Sequence, residues 1–203
     1  MMHPDTELRL IHPEIGHGVV ATRLIPAGSI TWVRDELDQV FTPAQVEALG
    51  PAYRRILDKY TFVDARGSYV LCWDLARFVN HSCKPTCLGP GLDFEIAVRD
   101  IHPGEELTDD YGTLNSANDF TCCCGLPECR KEIHPSDLLA HGDRWDAEIR
   151  AVFPRIATLP QPLWPLLREK REVERALAKE IEVPSCRLNY HPLNDARKRA
   201  EVA

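Results

Sequence analysis

The feature that most restricts how this chain can fold is a thiol cluster one ligand short. Cys122-x-Cys124-x4-Cys129 puts three thiols on a short loop, whereas a closed tetrahedral metal site needs four donors. The loop is poor in apolar side chains and cannot order itself by burial, so a metal there must draw a distant part of the chain against it. Cys83, near the end of Arg77-Phe78-Val79-Asn80-His81-Ser82-Cys83-Lys84-Pro85, is the preferred fourth donor. Cys123 and Cys87 compete as thiols, with His81 or His134 behind them, and a set of unmetallated thiols is the plain alternative. Zinc is the leading candidate ion, and four protein ligands would leave it no open position, which makes it structural and not hydrolytic. Cys83 beside His81 also offers a nucleophile and a base. Such pairs normally meet through the fold and not across one intervening residue, which argues against that use.

Four of the eight cysteines fall within eight positions, a density that suits metal ligands in a reducing compartment better than disulfides. The N-terminus Met1-Met2-His3-Pro4-Asp5 lacks a basic run followed by an apolar one, and no stretch approaches the roughly 20 apolar residues of a membrane span. We expect a cytoplasmic or nuclear protein with no membrane partner. The formal charge of −7 argues against a broad phosphate-binding face, and so against direct contact with nucleic acid. A basic protein or peptide is the better-matched partner, and mere solubility the blander reading of that charge.

Glu7 to Ile11 and the region around Val19 to Thr22 alternate as strands about Gly16-His17-Gly18, and glycines flanking His17 allow a close backbone approach, to a ligand or within a hairpin. After the turn Ile25-Pro26-Ala27-Gly28, Ser29 to Val33 reads as a strand. Thr42-Pro43-Ala44-Gln45 carries an N-cap, a proline at the first helical position and a capping-box glutamine, which predicts a helix from about Pro43 to Leu49 stopped at Gly50. Helical turns follow over Tyr53 to Lys59. Strands are predicted at Tyr60 to Val63, Tyr69 to Trp73 and Asp93 to Arg99, and a further run delivers Tyr111. A polar connection through Ser116 and Asn118 leads to the cysteines. Beyond them, Ser136 caps a helix through Leu139, Trp145 to Phe153 has helical spacing, and Leu163 to Glu182 reads as a charged amphipathic helix. From Pro184 onward the tail is a candidate for disorder or a partner-dependent arm.

Arg-Phe-Val-Asn-His-Ser-Cys-x-Pro, then Gly104-Glu105-Glu106-Leu107-Thr108-Asp109-Asp110-Tyr111-Gly112, then Cys-x-Cys-x4-Cys resembles the SET-domain protein lysine methyltransferases with their post-SET zinc segment. Gly16-His17-Gly18-Val19 is similar to that family's opening glycine motif, and the resemblance spans roughly residues 7 to 131. It implies a mainly β fold with some α: a SET-type β-clip of short, mostly antiparallel sheets, in which the Asn-His-Ser-Cys segment threads beneath a loop as a pseudoknot. The expected units are a SET domain over 5–115, a post-SET zinc segment over 116–134 and a C-terminal helical extension over 135–203. S-adenosylmethionine would be the methyl donor, held by Ile15, Gly16 and His17 with Asn80 and His81, and less directly by Arg77 and Tyr60. Tyr111 would be the catalytic tyrosine. Cys83, Cys122, Cys124 and Cys129 would hold structural zinc.

The implied reaction moves a methyl group to a lysine side chain of a protein or peptide, histone or not. Alignment of amine, methyl and sulfur supplies most of the catalysis. The nucleophile must be neutral, and deprotonating a lysine of pKa about 10.4 at pH 7 costs roughly 4 to 5 kcal/mol. Two residues depart from the family's pattern: Thr86 stands where asparagine is common, and Asp109 where an aromatic lines the lysine channel. An acid at 109 could hold a water or salt-bridge the substrate, or it could turn to solvent. The competing function, from another class, is a catalytically silent SET-like zinc module for protein-protein contact. The C-terminal helices are candidates for core packing, substrate selection or dimer contact.

Overall fold

The computed structural model describes residues 1–115, 119–134 and 136–192. The connection expected at Ser116 and Asn118, and the tail from residue 193, lie outside the described residues. The hairpin predicted around the Gly-His-Gly turn forms from β1 (Thr6–His12) and β2 (Gly16–Ala21), running antiparallel from Thr6 opposite Ala21 to His12 opposite Gly16. β3 (Ile30–Val33) follows. β4 (Gln39–Phe41) leads into α1 (Pro43–Ala48) and α2 (Pro51–Tyr60), then β5 (Thr61–Val63) and β6 (Tyr69–Leu71). The central motif supplies β7 (Asn80–His81), followed by β8 (Cys87–Leu88), β9 (Phe94–Ala97) and β10 (Glu106–Asp109). β11 (Phe120–Thr121) and β12 (Glu132–Ile133) enclose the thiol loop, and α3 (Asp137–Val152) and α4 (Lys170–Leu177) complete the chain.

These strands make four small sheets, in the orders β1-β2-β10-β7, β3-β9-β8, β4-β6-β5 and β11-β12. The fold is mainly short β-sheets with a few helices. All strand pairs are antiparallel save β10 with β7, which run parallel with Thr108 beside Asn80 and Asp109 beside His81. That pairing lays the Asn-His strand against the strand that delivers Tyr111. At α1 the Thr42 hydroxyl accepts from the Gln45 N–H at 3.3 Å while Gln45 Oε1 accepts from the Thr42 N–H at 2.8 Å, so the capping box closes as its sequence predicts.

The largest core joins β3, β8 and β9 to the C-terminal third of the chain. Ile30, Val33, Leu88, Phe94 and Ile96 pack with Leu138, Trp145, Ile149 and Phe153 of the α3 segment, and with Leu163, Leu167, Val173 and Ala176 beyond it. The C-terminal helices thus bury their apolar faces within the chain. Two expectations about them change. The pieces expected at Ser136 to Leu139 and Trp145 to Phe153 are one helix, and Gly142 in its middle makes room for the Arg187 side chain, which an added Cβ would approach to 2.9 Å. Ser136 is its N-cap by position but makes no side-chain capping bond. Leu163 to Glu182 is not one helix: a 3₁₀ turn at Trp164–Leu166 breaks at extended Leu167 (ψ 126°) before α4, and Lys179 at φ 61° lies just past its end. Pro165 lacks the N–H a continuous helix would need. At about 100° per residue a straight helix would also point Ala176 roughly 140° away from Leu163, so the break is what lets both reach one core. Among the described residues no helix is long and apolar enough to cross a membrane.

Trp145 is fully buried and carries the largest share of this shared core. Trp145→Ala is expected to lower unfolding free energy by about 3–5 kcal/mol, read from denaturant titration followed by circular dichroism. A loss below about 1 kcal/mol would mean that α3 is only loosely attached.

A candidate active site and thiol cage

The β2 strand begins where the backbone turns most sharply. Gly16 has φ +95°, and a Cβ built there would meet nothing within 4 Å, so the residue's freedom serves the turn and leaves one side of the backbone open. Gly18 is the opposite case. A Cβ there would collide with Glu106 Oε1 and the Ile11 side chain and lie 2.8 Å from Asn80 Nδ2. The space is taken because Asn80 Nδ2 donates both to the His17 carbonyl at 3.1 Å and to Glu106 Oε1 at 2.7 Å, tying the hairpin to β7 and β10.

Phe78, which the sequence motifs contain but do not single out, gathers three of the predicted residues. Its ring lies 6.4 Å from His17 and 5.6 Å from Tyr60, and the Arg77 guanidinium stands 5.2 Å above it. Ile15 remains 48% exposed at the turn. Tyr60, Arg77, His17 and Asn80 therefore surround one corner next to the open face of Gly16, and Ile15 marks its rim.

On the other side of β7, Tyr111 donates its hydroxyl to the Val79 carbonyl at 2.8 Å and its backbone N–H to His81 Nδ1 at 3.1 Å. An Nδ1 that accepts leaves the His81 proton on Nε2, which faces Cys83 Sγ at 3.4 Å. Burial lowers the His81 pKa, with Asp110 at 3.8 Å opposing, so the ring is held neutral. His81, Tyr111 and Phe120 pack with centroids 5.4 to 5.8 Å apart. Burial pushes the Tyr111 phenol above its ordinary value, and the carboxylates of Asp109 and Glu106 add to the shift, so its hydroxyl stays protonated. A cavity of about 260 Å³ opens beside Tyr111, walled by Trp32, Phe62, Val79, Glu95 and Asp109. Asp109 does not turn to solvent: it is 3% exposed.

The four thiols expected to act together do converge. The sulfurs of Cys83, Cys122, Cys124 and Cys129 all lie within 4.8 Å of one another. Cys83 and Cys122 are 3.7 Å apart, close to the separation of about 3.8 Å set by tetrahedral Zn–S bonds of about 2.3 Å. Backbone N–H groups of Cys124, Arg130 and Lys131 each point at a cluster sulfur from 3.4 Å, at Cys122, Cys83 and Cys129 respectively. Burial pushes the Cys124 thiol up, yet hydrogen bonds from Cys83 and Leu126 outweigh it and bring the pKa to about 7, which favours the thiolate a metal needs. This donor set fits zinc and could hold it. The competitors lie elsewhere: Cys123 is exposed, Cys87 is buried in the core around Val19 and Leu107, and His134 pairs with Asp119 at 3.1 Å.

The sequence motifs gave no role to Arg130. Its guanidinium grips both carboxylate oxygens of fully buried Asp110 at 2.6 Å, reaches Asp137 at 3.2 Å and lies 5.7 Å over Trp145. One side chain thus links the tyrosine turn, the thiol loop and α3. A basic residue just after the last cysteine was the available signal, but its partners are set by tertiary contacts.

A family model for the SET domain matches residues 16–112. A histone-lysine N-methyltransferase of Schizosaccharomyces pombe, described as H3 lysine-4 specific, is 38% identical over 91 residues, covering 41% of this chain and 10% of that protein. The human histone-lysine N-methyltransferase SETD1A is 33% identical over 95 residues, covering 43% of this chain and 5% of that one. The chain thus spans a tenth or less of these relatives. A structure of KRYPTONITE with mCHG DNA and SAH aligns with a TM-score of 0.46 at 25% identity, covering 64% of this chain and 29% of that one.

Metal analysis of freshly purified protein is expected to find about one zinc per chain. Cys83→Ser should lose it as fully as Cys129→Ser, whereas Cys123→Ser should keep it; a Cys83→Ser protein with normal zinc would remove Cys83 from the cage. Arg130→Met is expected to cost about 3–5 kcal/mol of unfolding free energy by stranding buried Asp110, and thermal melts of zinc-loaded protein would show the loss.

Proposed function

Residues 16–112 being a SET domain, we propose that this chain transfers a methyl group from S-adenosylmethionine to a lysine side chain of a protein or peptide. The observation that carries the reading is the placement of Tyr111, a buried, protonated hydroxyl fixed to the Val79 carbonyl at 2.8 Å and lying one strand from the open turn at Gly16. When bound, S-adenosylmethionine supplies a methyl group on a good sulfonium leaving group, so the protein's task is positioning and the exclusion of water.

Gly16 and His17 offer backbone on the unfilled side of the turn, and Asn80 holds that turn in place through the His17 carbonyl. Arg77 and Tyr60, ordered around Phe78, complete the corner as the contacts for the donor's polar ends. Tyr111 donates its own proton to Val79, which leaves its oxygen lone pairs to accept from an amine N–H and to orient the methyl group. The packed rings of His81, Tyr111 and Phe120 exclude water, which strengthens every electrostatic contact at the reacting atoms. Structural zinc on Cys83, Cys122, Cys124 and Cys129 fixes the far end of the same segment.

We assign the SET unit to 5–115, the zinc segment to 116–134 and the covering extension to 135–203, with the extension's helices packed into the core. The substrate proposed is a basic, lysine-bearing protein or peptide, which the chain's net charge of −7 favours over nucleic acid. The compartment proposed is the cytoplasm or nucleus.

Tyr111→Phe is expected to lower transfer to a core-histone mixture, or automethylation, by at least about 100-fold, with calorimetric affinity for S-adenosylmethionine and zinc content unchanged. Wild-type protein that binds the donor but methylates neither itself nor histones would favour the silent module. A Phe variant with full activity would sink the role of Tyr111.

A further inference from the structure

The cavity beside Tyr111 ends in two carboxyl groups that the methyl transfer described above does not use. Asp109 is 3% exposed, and its side chain hydrogen-bonds to that of Glu95 on β9. Two carboxyls can share a hydrogen bond only if one of them keeps its proton, so the pair holds a proton between them and one negative charge remains. Burial is the chief force raising both groups, and no cation figures among the charges acting on either. The facing groups are Asp110, Tyr111 and the buried thiols of Cys72 and Cys87. Arg34, which also lines the cavity, is committed to Asp64 at 3.1 Å and Asp93 at 3.3 Å. An uncompensated buried charge is costly, and a cation that enters the cavity removes that cost.

The walls suit one kind of cation. Glu95 stands opposite Trp32 in the β9–β3 register, and Trp32 meets Phe62 edge-on at 5.8 Å, so aromatic faces line the approach to the acids. An alkyl chain packs on such walls while its ammonium is drawn both to the rings and to the carboxyls. With each heavy atom given a water's share of liquid volume, about 30 Å³, a four-carbon ammonium fills on the order of 150 Å³, within the cavity's 260 Å³. We propose that Asp109 and Glu95 form a subsite for a primary alkylammonium, the one that receives the acceptor side chain before transfer. The proposal rests on the reading of Tyr111 as the reaction centre, because the same cavity holds both.

The test uses the whole zinc-loaded chain and n-butylammonium chloride as probe, with n-butanol as its neutral counterpart. Chemical shifts of Trp32 and Tyr111 are followed in wild type, Asp109→Asn and Glu95→Gln, each of which removes a titratable acid with little change of volume. The ammonium is expected to saturate in wild type and to bind at least tenfold more weakly in both variants, while butanol binds all three alike. No saturable shift at Trp32 in wild type, or equal ammonium affinity across the folded proteins, would overturn the subsite. If one variant fails to fold, the other acid's variant carries the comparison. Methylation is measured on the same samples. Ammonium binding that depends on the acids, without any transfer, would remove the enzymatic reading and leave the subsite; transfer with acid-independent ammonium binding would remove the subsite alone.

Discussion

The bidentate bond between Arg130 and Asp110 is the contact on which the functional half of the molecule depends. Asp110 directly precedes Tyr111 and accepts from the Gly112 N–H at 3.1 Å, so its carboxylate shapes the turn that aims the tyrosine. Arg130 directly follows the last cysteine of the cage. The two charges are out of water, and such a pair gains little over an apolar contact but is costly to break on one side. What it confers is register: the thiol loop, the tyrosine turn and the first turn of α3, through Asp137, can meet in few other ways.

Around that pair, unlike pieces of chain are held by short-range steric rules. Gly18 admits the Asn80 amide and the Glu106 carboxylate into the volume of an absent side chain, and the parallel β7–β10 pairing spans only two residues on each strand. So small a ladder has little stability of its own. It persists because Asn80 is anchored to the hairpin on one side and Cys83 joins the thiol cluster two residues beyond His81 on the other.

Much of this was legible because it is local. The capping box of α1, the glycine hairpin and the short strands follow from spacing and from backbone preference. The convergence of Cys83 with the later cysteines was inferable from ligand counting, since three thiols need a fourth. What was not legible depended on partners distant in sequence. A hydropathy pattern showed a charged amphipathic run from Leu163 to Glu182, but not that Leu163 and Ala176 share a core only if the helix breaks. The motif showed that position 109 departs from its aromatic norm, but only Glu95, fourteen positions away, makes Asp109 part of a carboxyl pair. Arg130 looked like an ordinary basic residue after a cysteine loop until Asp110, Asp137 and Trp145 were seen around it.

The position of β7 has a thermodynamic consequence. Asn80 answers to the hairpin and Cys83 to the thiol cage, with only His81 and Ser82 between them, so an event at either end shifts the balance of ordered and loosened forms of the same segment. Binding energies at the two ends are then linked, and the linkage is reciprocal: whatever tightens the glycine corner slows metal loss by the same factor in equilibrium affinity by which the metal tightens the corner. The cage, nominally a structural fastening, thereby acts as a regulator of occupancy at a site it never touches.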